Sequence, residues 1–257
     1  MEIREAGAAP LEMLLGVLQD QAVELTSTSR ILDFGCGEGQ SVYVLRKRGL
    51  QAFGVDIVPA YDAIQQRLEE EGLTQDNEAV FGLMNLTNYR IPFEDNTFDV
   101  VMSWMVFEHV QNWPQALAEI QRVLKPGGVG LHLFPARYRP IEGHVFVPFA
   151  SVIQARPYLA LWAFLGVRNS FQQGKNWREV AKLNFEYLRK YTVYLSKGQI
   201  RRAVVAEFGN LSLLEKSYLK HHHKPQARRI SALTRVIPFL PWLIGTFYMS
   251  VVFFKKP

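Results

Sequence analysis

Apolar and polar positions follow two rhythms along the first 135 residues. Leu11, Leu14, Leu15, Leu18 and Leu25 share one face at helical spacing, and Pro10 suits a first turn, so Pro10–Leu25 is expected to be a helix. Short, β-branched apolar runs interrupt the helical pattern at Arg30–Phe34, Ala52–Asp56, Ala79–Gly82, Phe98–Ser103 and Val129–Phe134. Such runs suit strands buried on both faces. Between them lie helical stretches at Gln40–Arg48, Tyr61–Glu71 and Trp113–Leu124. Gly49, Gly72 and Lys125-Pro126-Gly127-Gly128 close these helices, and Asn112 with Pro114 opens the last. Strand and helix in alternation predict an α/β chain with a doubly wound, mostly parallel sheet.

The alternation stops near Ile141. From there to Phe208 the chain is aromatic, basic and mostly helical in pattern, which reads as an insertion over the strand ends. Leu211–Tyr218 and Phe247–Phe254 then look like closing strands. The expected organisation is a core over residues 1–140, a helical lid over 141–210, and closing strands over 211–257.

Charge sharpens this division. Residues 1–136 carry nine Lys/Arg against 19 Asp/Glu, and residues 137–257 carry 20 against five, so balances of −10 and +15 underlie the net +5. Cationic character confined to one half points that half toward something anionic: membrane headgroups, a phosphorylated substrate or nucleic acid. The single cysteine, Cys36, cannot form an internal disulfide, and no Cys/His cluster has zinc-finger spacing. The opening MEIREAGAAPLEM lacks a secretory pattern, so a reducing, cytoplasmic setting is expected.

The first strand runs into RILDFGCGEG. Gly35 and Gly37 permit a sharp turn and a close ligand approach, but their G-x-G-x-G spacing differs from the dinucleotide fingerprint G-x-G-x-x-G. Asp56 ends the second strand nineteen positions after Gly37, where a carboxylate can accept hydrogen bonds from both ribose hydroxyls of an adenosine moiety.

With DFGCGEG, then VD, then IPFEDNTFDVVMS, then EIQRVLKPGGVGLHLFP in this order, the chain resembles the class I S-adenosylmethionine-dependent methyltransferases over roughly residues 30–135. The resemblance implies a Rossmann-like, mostly parallel seven-stranded sheet with a helical insertion after strand five. It implies that Asp33 and the backbone of Gly35, Cys36 and Gly37 hold the methionine end of the cofactor. Asp56 would bind the ribose, and Ile57 would pack on the adenine. An acidic residue usual at the third strand's end is replaced here by Asn85 and Leu86. Ser103 and Trp104 would sit beside the methionine portion. The Asn/Asp-Pro-Pro-Tyr signature of amino-methylating nucleic-acid enzymes is missing at that point, so nucleic acid is not the expected acceptor.

Methyl transfer from a sulfonium is a direct displacement. The protein mainly aligns the partners, excludes water and, for a weakly acidic acceptor, removes a proton. His109, just past the fourth strand, and His144, where the insertion begins, are the catalytic candidates. Arg137, Tyr138, Arg139 and Glu142 are expected to contact substrate beside His144. His132, inside the fifth strand, reads as a buried, hydrogen-bonded core residue, and His221–His223 as a solvated loop.

Val236–Phe254 is a stretch of nineteen uncharged residues, but Pro238, Pro241 and Gly245 break it, so burial is expected ahead of a membrane span. PYLALWAFLGV, followed by many cations, keeps an anionic membrane surface or a lipid-like acceptor in view. The expected function is methyl transfer to a small-molecule or lipid-like acceptor. A non-catalytic adenosine-ligand-binding or peripheral membrane protein on the same fold is the alternative.

Overall fold

The computed structural model describes residues 8–74, 78–85, 87 and 89–257. A seven-stranded sheet organises the chain. Its strands are β1 (Arg30–Phe34), β2 (Gln51–Asp56), β3 (Phe81–Leu83), β4 (Phe98–Trp104), β5 (Leu124–Pro135), β6 (Ser212–Leu213) and β7 (Met249–Lys255), in the order β3-β2-β1-β4-β5-β7-β6. The pairings of β1 with β2 and β4, of β2 with β3, and of β4 with β5 are parallel. Strand β7 runs antiparallel to both β5 and β6. The direction of winding reverses between β1 and β4, so the carboxyl ends of these strands frame the crevice where such sheets bind ligands.

Both faces of the sheet are covered, because successive residues of its central strands are apolar and buried. On one face, Ile31, Val100, Met102 and Leu131 pack against α1 (Ala8–Asp20), α2 (Gln40–Lys47), α3 (Asp62–Glu70) and α8 (Glu215–His221). On the other, Leu32, Phe34, Val101 and Phe134 pack against α4 (Trp113–Val123) and α7 (Lys197–Phe208). Each fully buried Leu or Phe contributes about 1.5–3 kcal/mol by leaving water. The helix starts follow local chemistry. The Asn112 side chain accepts from the Gln115 amide at the head of α4, and Ser196 with Gln199 forms a reciprocal cap on α7.

After β5 the chain leaves the sheet. The segment containing α5 (Arg156–Phe164) and α6 (Trp177–Tyr191) builds a small core of its own from Val145, Val147, Ala150, Leu159 and Leu188. This is the helical insertion expected from the sequence, and α7 then returns to cover the sheet.

Two expectations are corrected. Only Ser212–Leu213 of the Leu211–Tyr218 stretch is strand; Glu215 onward is helix, because Tyr218 and Leu219 gain burial in the core that α1 shares. The Val236–Phe254 stretch, expected to be buried, is so mainly in β7: Val236, Phe239 and, on α10 (Leu240–Phe247), Trp242 and Phe247 are exposed, with α9 (Pro225–Leu233) before them. No helix among the described residues is long and apolar enough to cross a membrane.

Candidate active site

The turn after β1 is tied to the end of β2. The amides of Gly35 and Cys36 both donate to the Val55 carbonyl, at 2.7 and 3.0 Å, and the Gly37 amide donates to Asp56 Oδ2 at 2.8 Å. Gly35 has φ +80°, and a Cβ there would run into the Val106 side chain, so both backbone conformation and space require glycine. Asp56 Oδ1 accepts from the amides of Ile57 and Val58. Among the described residues Oδ2 accepts from the Gly37 amide alone, and a carboxylate oxygen can accept a second bond, which leaves capacity for a ribose hydroxyl. The Cys36 thiol is buried beneath Gly54, and burial pushes its pKa far up, so its contribution to a ligand is through the backbone.

Asp33 lies under the same turn and is nearly inaccessible. Burial raises its carboxyl to about 7, opposed by the hydrogen bond with Ser41 and reinforced by the charge of Asp56. A buried carboxyl with no cationic partner among the described residues suits a cationic ligand, from which its carboxylate form would accept hydrogen bonds.

A crevice of ≈ 220 Å³ opens at these strand ends, lined by Phe34, Gly35, Asp56, Ile57, Met84, Tyr89, Met105, Val106, His109 and Val110. Several sequence expectations change here. Asn85 does not line this crevice: its Oδ1 accepts from the Thr87 amide, and Met84 and Tyr89 line the wall instead. Leu86 lies outside the described residues. Ser103 is fully buried and bonded to His132 Nδ1 at 2.8 Å, which turns its hydroxyl into the sheet rather than toward the crevice. Trp104 packs against the core, whereas Met105 and Val106 line the crevice. Met105 holds a positive φ of 58°, a strained turn that no composition signal announces.

His109 stands on a single 3₁₀ turn (Phe107–His109) and lines both this crevice and a second cavity of ≈ 630 Å³. The second cavity is walled by Tyr89, Gln111, Asn112 and, from α6, Tyr187, Lys190 and Tyr191. The α6 residues had no sequence signal as site residues, because their place depends on how the insertion folds back. The His109 ring Nδ1 lies 2.8 Å from the Tyr191 carbonyl, and burial lowers its pKa.

His144 is brought within 4.9 Å of the His109 ring, edge to face. Its Nδ1 lies 2.6 Å from Glu142 Oε1, and that hydrogen bond raises its pKa. Burial alone would raise Glu142, but hydrogen bonds from His144, Tyr194 and the Val145 amide overcome this and hold the carboxyl below its ordinary value. Glu108 is buried beside the two histidines. The sequence groups Arg137, Tyr138, Arg139, Glu142 and His144 together, but the structure separates them. Arg137 and Tyr138 line a different cavity with Trp242, and Arg137 donates to the Tyr194 carbonyl. The Arg139 guanidinium lies over the Tyr248 ring. Glu142 and His144 alone of this group join His109. His132 is the buried core residue expected from its place in β5, and burial lowers its pKa to about 3.

Residues 32–131 match the family described as a methyltransferase domain. This stretch contains the glycine turn, Asp56 and the β4 end. Over this stretch the chain is similar to methyltransferase domains. Over 107 residues the chain is 36% identical to an uncharacterized methyltransferase of Schizosaccharomyces pombe, covering 39% of this chain and 38% of that protein. It is 37% identical over 106 residues to a demethylmenaquinone methyltransferase of Lactiplantibacillus plantarum, covering 41% and 44%. The aligned part thus spans less than half the length of these curated relatives. Geranyl diphosphate C-methyltransferase from Streptomyces coelicolor A3(2), solved with Mg2+, geranyl diphosphate and S-adenosyl-L-homocysteine, superposes with a TM-score of 0.56 at 17% identity. That superposition covers 100% of this chain and 82% of the other, and it shows a shared fold.

Proposed function

We propose that the protein transfers a methyl group from S-adenosylmethionine to a small or lipid-like acceptor. The observation that carries this reading is the position of His109, whose ring borders both the glycine-turn crevice and the aromatic cavity beyond it. A donor held in the first and an acceptor held in the second would meet beside that ring. The crevice residues fit the donor: Asp56 and Ile57 face the place of a ribose and adenine, and buried Asp33 suits a cationic methionine end. S-adenosylmethionine, when bound, supplies an already activated methyl group. The chain's own work is to orient the two partners, keep water out, and accept or hold a proton at the acceptor.

Tyr187, Tyr191 and Tyr89 give the acceptor cavity an apolar, aromatic wall suited to a quinone, isoprenoid or similar ring. The lipid-like branch is further supported by exposed Val236, Phe239 and Trp242, near Arg228, Arg229 and Arg235 in the sequence. Apolar and cationic groups combined in this way suit an anionic bilayer surface, as peripheral contact at the inner face of a membrane. Co-sedimentation with anionic vesicles checks that branch, and an absence of binding at low salt removes it.

The central test is S-adenosylhomocysteine release with a panel of quinol, sterol and small amine acceptors, alongside calorimetric binding of S-adenosylmethionine. His144→Ala should lower turnover far more than cofactor affinity. A wild-type protein that fails to bind S-adenosylmethionine overturns the reading.

A further inference from the structure

Three side chains from two separate segments converge around His109, which borders the acceptor cavity. Glu108 and His109 come from the turn after β4, and His144 comes from the loop after β5. One ligand atom from each lies within 4.8 Å of the other two. We infer that Glu108, His109 and His144 form a three-ligand binding site for a first-row divalent cation of the zinc class.

The hydrogen bonding around the rings selects the atoms. His109 Nδ1 is engaged by the Tyr191 carbonyl at 2.8 Å, and His144 Nδ1 by Glu142 at 2.6 Å. Each ring therefore carries its proton on Nδ1 and offers Nε2 as an electron-pair donor. A carboxylate or carbonyl behind a ligating imidazole is the usual way its tautomer and orientation are fixed. Glu142 is itself held rigidly, by the Tyr194 hydroxyl at 2.6 Å and the backbone amides of His144 and Val145 at 2.8 and 2.7 Å.

The third member supplies an independent indication. Glu108 is 1% exposed, yet neither of its carboxylate oxygens has a hydrogen-bond partner among the described residues. Leaving a carboxylate buried and unpaired is costly, and a cation between it and the two Nε2 atoms removes that cost. Two imidazole nitrogens with one carboxylate oxygen suit zinc or a neighbouring transition ion, whereas magnesium prefers an all-oxygen shell. Three protein ligands leave a coordination position open. His109 borders the acceptor cavity, so that position is available to an acceptor oxygen, whose hydroxyl proton is then more readily lost to solvent. This catalytic use rests on the methyl-transfer reading; the binding of the ion does not.

The test uses the untagged full chain, stripped with a chelator and titrated with Zn2+ alone by calorimetry, with metal content measured after dialysis. One Zn2+ per chain is expected, with Mg2+ failing to compete. Glu142→Gln should weaken binding about 10- to 100-fold without removing a ligand, and Glu108→Gln and His144→Ala should each weaken it at least as much. In the Co2+-loaded protein, visible absorption should change in His144→Ala. Circular dichroism and S-adenosylmethionine binding check that these variants are folded. Asp56→Ala, placed in the cofactor crevice, should keep wild-type Zn2+ affinity while losing cofactor. Absence of a stoichiometric ion overturns the proposal. So does Zn2+ binding that survives Glu108→Gln and His144→Ala but disappears in His222→Ala/His223→Ala. Either result, with cofactor binding intact, leaves the methyl-transfer reading standing.

Discussion

The amide of Gly37 donates to Asp56 Oδ2 at 2.8 Å, joining the turn after β1 to the end of β2 across nineteen positions of chain. One carboxylate thus shapes the glycine turn and faces the crevice at the same time. Asp56→Ala removes a charged acceptor worth about 1.5–3 kcal/mol, so S-adenosylmethionine affinity should fall about 10- to 100-fold. Asp56→Asn keeps an oxygen for the Gly37 amide and should recover part of the loss. Undiminished affinity in Asp56→Ala by calorimetry contradicts the ribose assignment.

On the proposed reading, Asp33 should make cofactor binding sensitive to pH. Its carboxyl titrates near 7 in the folded protein because it is buried, with Ser41 opposing the shift and Asp56 adding to it. A cationic ligand end favours the ionised form, so affinity should rise about tenfold from pH 6 to pH 8. Asp33→Asn should flatten this dependence. The stability of the free protein runs the other way. The unfolded carboxyl loses its proton near the ordinary 3.8 while the folded one keeps it to about 7, so this group's contribution falls as pH rises between those values. Affinity that is flat across pH 6–8 in the wild type sinks the assignment.

Gly35→Ala places a Cβ against Val106 at a residue with φ +80°. Strain of about 1–3 kcal/mol should appear as a lower melting temperature, together with loss of cofactor binding. If Gly35→Ala binds S-adenosylmethionine normally, the turn is not the cofactor's resting place.

His132 should sensitise the sheet to acid. Its folded pKa is lowered to about 3 from the ordinary 6.5 by burial, so below 6.5 the unfolded chain takes up a proton that the folded chain refuses. The stability that this group confers is present above pH 6.5 and is lost as pH falls toward 3, at up to about 1.4 kcal/mol per pH unit. His132→Phe should be less stable at pH 8, because Ser103 loses its partner, yet shallower in its decline below pH 6.5. Urea melts at pH 8, 6 and 5 check this; parallel slopes for the two proteins are incompatible with it.

The parts of the fold read most directly from the sequence are those whose signals are local. Strand β1 occupies Arg30–Phe34 as expected, since a short apolar run ending in glycines has few alternatives inside a core. Helix α4 starts at Trp113, because Asn112 and Pro114 fix that start chemically. Leu211–Tyr218 differs for the opposite reason: its apolar start suits a strand, and only burial of Tyr218 and Leu219 in the core shared with α1 makes its second half helix. The site divides along the same line. Gly35, Gly37 and Asp56 lie at adjacent strand ends and stand out by their spacing, whereas Asp33 is singled out by the family resemblance. The meeting of His109 with His144, the tyrosines of α6 and the inward turn of Ser103 depend on long-range folding that no local pattern encodes.

Strand β7 lies between β5 and β6, although β6 precedes it by about 35 residues of helical chain. Until Met249–Lys255 is inserted, the flank of β5 presents an open ladder of amides and carbonyls to any other extended peptide. Deleting those seven residues should therefore do more than trim the sheet. It should leave the long flank of β5 as a sticky template, and self-association during expression is the expected fate of such a chain.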